Sequence, residues 1–127
     1  MPTTATFKLA QWVFAMAAIS LLIIQVAGSR CENNGPSVRQ VQVGFGKLPQ
    51  FMVEIKNNCP MCPVTEIHVR CANLSQNLVD PRMLKVLRFD DCVVNGGLPL
   101  APMQKLSFNY THQKFQLMPK TWNFQCE

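Results

Sequence analysis

Charge is scarce in this chain. Charged side chains make up 15% of its 127 residues, against about 25% in an ordinary soluble domain. Aromatic residues are few at 9%, with one tyrosine, and there are two histidines. No acidic excess exists to form a disordered acidic tail, and a net charge of +5 is too small to argue for nucleic acid by itself. There is one long apolar run, which excludes a multipass membrane protein. The length excludes a large multidomain enzyme and a repeat array. Internal repeats and low-complexity stretches are absent.

Enzyme signatures are missing as well. The chain has no Gly-x-Ser-x-Gly elbow and no HExxH. Gly44-Phe45-Gly46 opens like a dinucleotide loop, but Pro49 replaces the third glycine and no βαβ pattern surrounds it. Glycoside hydrolysis needs two facing carboxyl groups. Asp90 and Asp91 are adjacent, and on a strand neighbouring side chains point to opposite faces. Accepting backbone donors at a bend or bulge is the work that suits them. His68, between Glu66 and Arg70, reads as part of a solvated strand face. A Cys–His dyad would need a free thiol.

The apolar run is Trp12 to Val26, preceded by a polar start with the single cation Lys8. It is too short for a spanning helix, which needs roughly 20 residues, and it suits a signal-peptide core. The small residues Ala27 and Ser29 place cleavage just before Arg30. Residues 1–29 are thus expected to be a cleaved signal peptide, and 30–127 a single secreted cysteine-rich domain. The mature chain then keeps 11 Lys and Arg against 7 Asp and Glu, or +4.

All six cysteines fall in that domain: Cys31, Cys59, Cys62, Cys71, Cys92 and Cys126. An even count in a short secreted chain reads as three disulfides, for which 15 pairings exist and sequence chooses none. Cys59-Pro60-Met61-Cys62 admits two sharper readings. A redox pair wants a helix N-terminus, and here Pro63 follows. A zinc site would recruit Cys71 and Cys92, but secretion argues against free thiolates. Asn73-Leu74-Ser75 and Asn109-Tyr110-Thr111 are N-glycosylation sequons.

Period-two alternation dominates the mature chain. It is looser over Val38–Val43 and clear in Phe51–Lys56 and Ile67–Cys71. It returns at Leu106–Tyr110, around Phe115 and Leu117, and at Trp122–Cys126. Arg88–Val94 reads as one strand interrupted by Asp90-Asp91. Asn95-Gly96-Gly97 signals a tight turn. Asp80-Pro81 resembles a helix cap followed by proline at the first position, predicting a short helical turn over Pro81–Lys85. The pattern describes an all-β fold: a small antiparallel β-sandwich, stapled by disulfides, with one short helical turn. Arg82, Lys85 and Arg88 are spaced by three and form a candidate basic contact patch near Arg70. Trp122 and Tyr110 would stack sugars if exposed, but strand spacing beside Phe124 and Phe108 argues that they are core.

The ordered blocks are Phe51-Met52-Val53-Glu54-Ile55-Lys56-Asn57-Asn58-Cys59, Ile67-His68-Val69-Arg70-Cys71, Asp80-Pro81-Arg82, Asp90-Asp91-Cys92-Val93-Val94-Asn95-Gly96-Gly97 and Leu106-Ser107-Phe108-Asn109-Tyr110, closed by Cys126. In this order the chain resembles the plant tapetum-determinant family of small secreted cysteine-rich proteins over nearly all of 31–127. The resemblance implies a signalling ligand in the apoplast that binds a leucine-rich-repeat receptor kinase ectodomain and helps specify cell fate in the anther, chiefly the tapetum. It implies binding without catalysis, cofactor or metal, and by position it carries over only the six cysteines. The alternative expectation is a carbohydrate-binding module of the cell wall.

Overall fold

The computed structural model describes residues 30–126. The expected signal peptide, 1–29, lies outside them. Seven strands form two antiparallel sheets. The strands are β1 (Ser37–Phe45), β2 (Pro49–Lys56), β3 (Val64–Arg70), β4 (Leu84–Arg88), β5 (Asp91–Val94), β6 (Lys105–Thr111) and β7 (Met118–Phe124). The order is β1-β2-β6 in one sheet and β4-β5-β3-β7 in the other. The expected all-β sandwich is therefore what the chain forms.

Alternation explains the layers. In β2 Phe51, Val53 and Ile55 are buried while Met52, Glu54 and Lys56 turn outward. In β3 Val64, Ile67 and Val69 face in. Glu66 takes a positive φ of 51° where the register of β3 with β7 shifts between Thr65 and His68. These two inner faces close one core with Leu84, Val94, Leu100, Tyr110, Phe115 and Leu117.

Three expectations need correction. The helical turn over Pro81–Lys85 is shorter: Met83 and Leu84 donate to the Asp80 carbonyl at 2.9 and 3.0 Å. The chain then extends, and Lys85 belongs to β4. The single interrupted strand over Arg88–Val94 is in fact the turn and second arm of a hairpin. Arg88 pairs with Asp91, leaving Phe89-Asp90 as a two-residue connection, with Asp90 at φ 59°. Phe115–Leu117 is not a strand. That segment crosses the end of the three-stranded sheet, held by Phe115 N donating to Tyr110 Oη at 3.0 Å and by Gln40 Nε2 donating to the Phe115 carbonyl at 2.8 Å.

The Asn95-Gly96-Gly97 turn forms as expected, with φ of 55°, 63° and 80°. At Gly97 a Cβ would meet only the mobile end of the exposed Glu66 side chain, at 3.0 Å, so the positive φ is what favours glycine there. Gly35 is pressed on the Trp122 ring, where a Cβ would lie 2.6 Å from Cζ2.

The bridges are Cys31–Cys59, Cys62–Cys126 and Cys71–Cys92. The first two tie both ends of the described chain to the segment after β2. Fully buried Asn57 organises that segment. Its Nδ2 donates to the carbonyls of Cys62, Leu100 and Ala101 at 2.9–3.2 Å, and its Oδ1 accepts from Cys59 N at 2.9 Å.

A charged sheet face as the candidate functional site

The candidate site is the outer face of the four-stranded sheet. A bulge in β4 creates it. Lys85 opposes Val93 and Val86 opposes Cys92, then the register shifts so that Arg88 opposes Asp91. Val86 and Cys92 pack on the core. The shift therefore returns Arg88 to the side of Lys85 after three residues, where strict alternation would have turned it away. Gln76 fixes the start of β4, its Oε1 accepting from Val86 N at 2.7 Å and its Nε2 donating to the Leu84 carbonyl at 3.0 Å.

Asp91 sits at the centre, with its side chain nearly buried. His68 Nδ1 lies 2.8 Å from its Oδ1, Arg88 Nε 3.2 Å from its Oδ2 and Lys120 Nζ 3.9 Å from its Oδ1. The His68 contact, opposed by desolvation and aided by Lys120 and Arg88, holds the Asp91 carboxyl below the usual carboxylate range. One anion is thus ringed by two lysine or arginine charges and a histidine from three strands. Lys85 adds a further exposed cation. The surplus makes the face positive, and such a field favours an acidic partner.

The hairpin end of this face is locked from below. The Asp90 carboxylate accepts from Ala72 N and Arg70 Nε, both at 2.9 Å, and Asp90 N donates to the Ala72 carbonyl at 2.7 Å. The backbone bond and then Arg70 pull the Asp90 carboxyl down from its ordinary value. The Cys71–Cys92 bridge lies beside this lock. On it stand Phe89, 75% exposed, and Leu87.

Sequence reasoning placed Arg82, Lys85 and Arg88 together. Lys85 and Arg88 share this face. Arg82 stays in the preceding turn, its guanidinium folded onto Asp80 by bonds of 2.8–3.2 Å. Asp90 accepts a backbone donor at a bend, as expected, whereas Asp91 binds side chains instead. Lys120 and Phe89 were missed. Phe89 was detectable: Leu84 and Val86 alternate before it, Cys92 and Val94 after, and a two-residue turn fits between.

The other candidates lie elsewhere. Cys59 and Cys62 are not bridged to each other, and the four sulfurs that the zinc reading needed are spread over three disulfides. Cys31, Cys62 and Cys126 bring their sulfurs within 4.8 Å of one another, but each is already bonded to a second cysteine. Tyr110 is buried, and burial raises its phenol pKa. Trp122 is half-buried against Gly35. Neither is a free stacking platform. His112 stacks on Phe115 with ring centroids 4.7 Å apart. Asn73 and Asn109 are both exposed. Among the described residues no helix is long and apolar enough to cross a membrane.

Fold and bridges define a small cysteine-rich β-sandwich protein. The family model described as tapetum determinant 1, C-terminal, matches residues 33–127, and the chain belongs to that family. An uncharacterised Arabidopsis thaliana protein is 48% identical over 118 residues, covering 87% of this chain and 92% of its own length. TPD1 protein homolog 1 of Arabidopsis thaliana is 48% identical over 67 residues, 51% of this chain and 37% of that protein. TPD1 protein homolog 1B of Oryza sativa subsp. japonica is 37% identical over 81 residues, 63% of this chain and 47% of that protein. The chain thus spans less than half of these two named relatives. No solved structure matches.

Proposed function

We propose that this protein is a secreted signalling ligand of the tapetum-determinant type, delivered to the apoplast after loss of residues 1–29. It binds the ectodomain of a leucine-rich-repeat receptor kinase in plant cell-fate specification, in the anther and chiefly the tapetum. It acts by binding and not by catalysis. The observation that carries the reading is the outer face of the four-stranded sheet. Arg88 and Lys120 flank Asp91 there, with Lys85 exposed on the same face, beside the rigidly mounted Phe89 and Leu87. A disulfide-pinned surface gives up little freedom on binding. An exposed aromatic with cationic neighbours has the composition of an interface anchor. The concave side of a repeat receptor is an extended surface of the right kind for such a face.

The test is binding of the oxidised secreted chain to a panel of receptor ectodomains, with a reduced and alkylated sample as control. Saturable binding that vanishes on reduction supports the reading, and simultaneous charge reversal of Arg82, Lys85 and Arg88 weakens it at least tenfold. Unchanged affinity in that triple variant overturns the assignment of the face. The absence of binding across the panel, from fully oxidised protein, overturns the receptor reading in favour of wall polysaccharide.

A further inference from the structure

We infer that Asn109 carries an N-linked oligosaccharide that covers the outer face of the three-stranded sheet, the face opposite the proposed receptor contact. The inference rests on the secretion reading above. Its geometric basis is the middle residue of the sequon. Tyr110 is buried, donating its hydroxyl to Gln40 Oε1 at 2.6 Å and accepting from Phe115 N at 3.0 Å. Alternation along β6 then obliges Asn109 and Thr111 to face outward, and both are exposed.

The register says what the sugar would lie on. Val41 of β1, Met52 of β2 and Asn109 of β6 are direct partners across the sheet. They form one row on the outer face, about 10 Å from end to end at the usual strand spacing. Val41 is 38% exposed, and the same hairpin continues with exposed Val43, Phe45 and Leu48. Bare apolar surface of this kind favours self-association. β6 also pairs on one side only, leaving an open sheet edge. A bulky hydrated group on Asn109 shields the row and hinders approach to that edge. Asn73 has a different position. It follows Ala72, which is bonded to Asp90 at the hairpin end of the proposed contact.

The chemistry balances with a lipid pyrophosphate-linked oligosaccharide as donor. Asn109 Nδ2 bonds to C1 of the first N-acetylglucosamine, and the C1–O bond to the pyrophosphate breaks. The lipid pyrophosphate departs with the electron pair, and one amide proton passes to base. Transfer takes place on the extended chain, and folding of β6 then fixes the sugar on this face.

The experiment is site mapping by mass spectrometry on protein secreted from plant cells. Sugar is removed by peptide N-glycosidase A in heavy-oxygen water, and self-association is read by size exclusion. The tag is expected at Asn109, lost in N109Q and T111A, and retained in N73Q. Both glycan-free variants should self-associate severalfold more at equal concentration, as should folded wild-type protein trimmed enzymatically. An untagged Asn109 in secreted, fully oxidised protein overturns the inference and leaves the secretion reading standing. A glycan whose removal does not change self-association overturns the covering role. Protein held inside the cell with reduced cysteines overturns both readings.

Discussion

At the scale of single residues, Asn57 does more than end a strand. It is fully buried, with donors and acceptor all engaged. Removing its amide takes the partner of the Cys62 carbonyl and of Cys59 N–H, while the Leu100 and Ala101 carbonyls keep the N–H groups of Val64 and Gln104, and each buried group left unpaired costs about 1–3 kcal/mol. Asn57→Ala is expected to lower unfolding free energy by at least about 2 kcal/mol in denaturant titration of oxidised protein. Asp90 gives a pH signature. Its folded pKa lies below the unfolded value of about 3.9 because Ala72 N–H and Arg70 favour the anion. The resulting stability is present above that value and is lost as pH falls through the lower folded pKa. Asp90→Asn should therefore melt lower than wild type at pH 7, and the gap should narrow as pH falls from 7 to below about 3.9. A constant difference across that range would show that the charge plays no part. Sequence exposed the strand-breaking character of Asn57-Asn58 but not this hub, because its partners Leu100 and Ala101 are more than 40 positions away.

At the scale of elements, legibility followed alternation. β2 and β3 were plain because one face is buried and the other wet, so each residue reports its side. The β4–β5 hairpin was read as one interrupted strand because Phe89-Asp90 lacks the glycine or asparagine that marks two-residue turns. Asp90 takes the positive φ instead, stabilised by its bonds to Ala72 and Arg70. Phe115 and Leu117 alternate like a strand because both fill the core, yet the Gln40 amide and the Tyr110 hydroxyl bind the Phe115 backbone in place of a strand ladder. Two experiments separate the lock from the knob. Replacing Cys71 and Cys92 together by serine opens a 21-residue separation, costing about 3 kcal/mol in the loop-entropy model, and should increase amide exchange in β4 and β5. Phe89→Ala removes a largely exposed ring, so stability should change by no more than about 0.5 kcal/mol while receptor affinity falls about tenfold or more. A fall in stability matching the fall in affinity would show that Phe89 is structural.

At the scale of the molecule, the two outer faces differ in kind. The three-stranded face sets Arg39 at 3.2 Å and Lys105 at 3.9 Å around Glu54, carries Lys56 beside them, and presents Val41 and Met52 in a row with the sequon. The four-stranded face carries a cationic surplus around Asp91. Lys85, Arg88 and Lys120 on the four-stranded face, close to exposed Phe89 and Leu87, orient an approaching acidic surface and act on encounter more than on residence. The consequence is a rate signature. The association rate with the receptor ectodomain should fall steeply between 50 and 300 mM salt, roughly the range over which the screening length drops below 10 Å, while dissociation changes little. Lys85→Glu should flatten that salt dependence and slow association severalfold, because Lys85 lies on the face without a carboxylate against it. Arg82→Glu should leave the slope nearly unchanged, because Arg82 is already folded onto Asp80. Equal effects of the two substitutions would mean that net charge, not this face, guides the encounter.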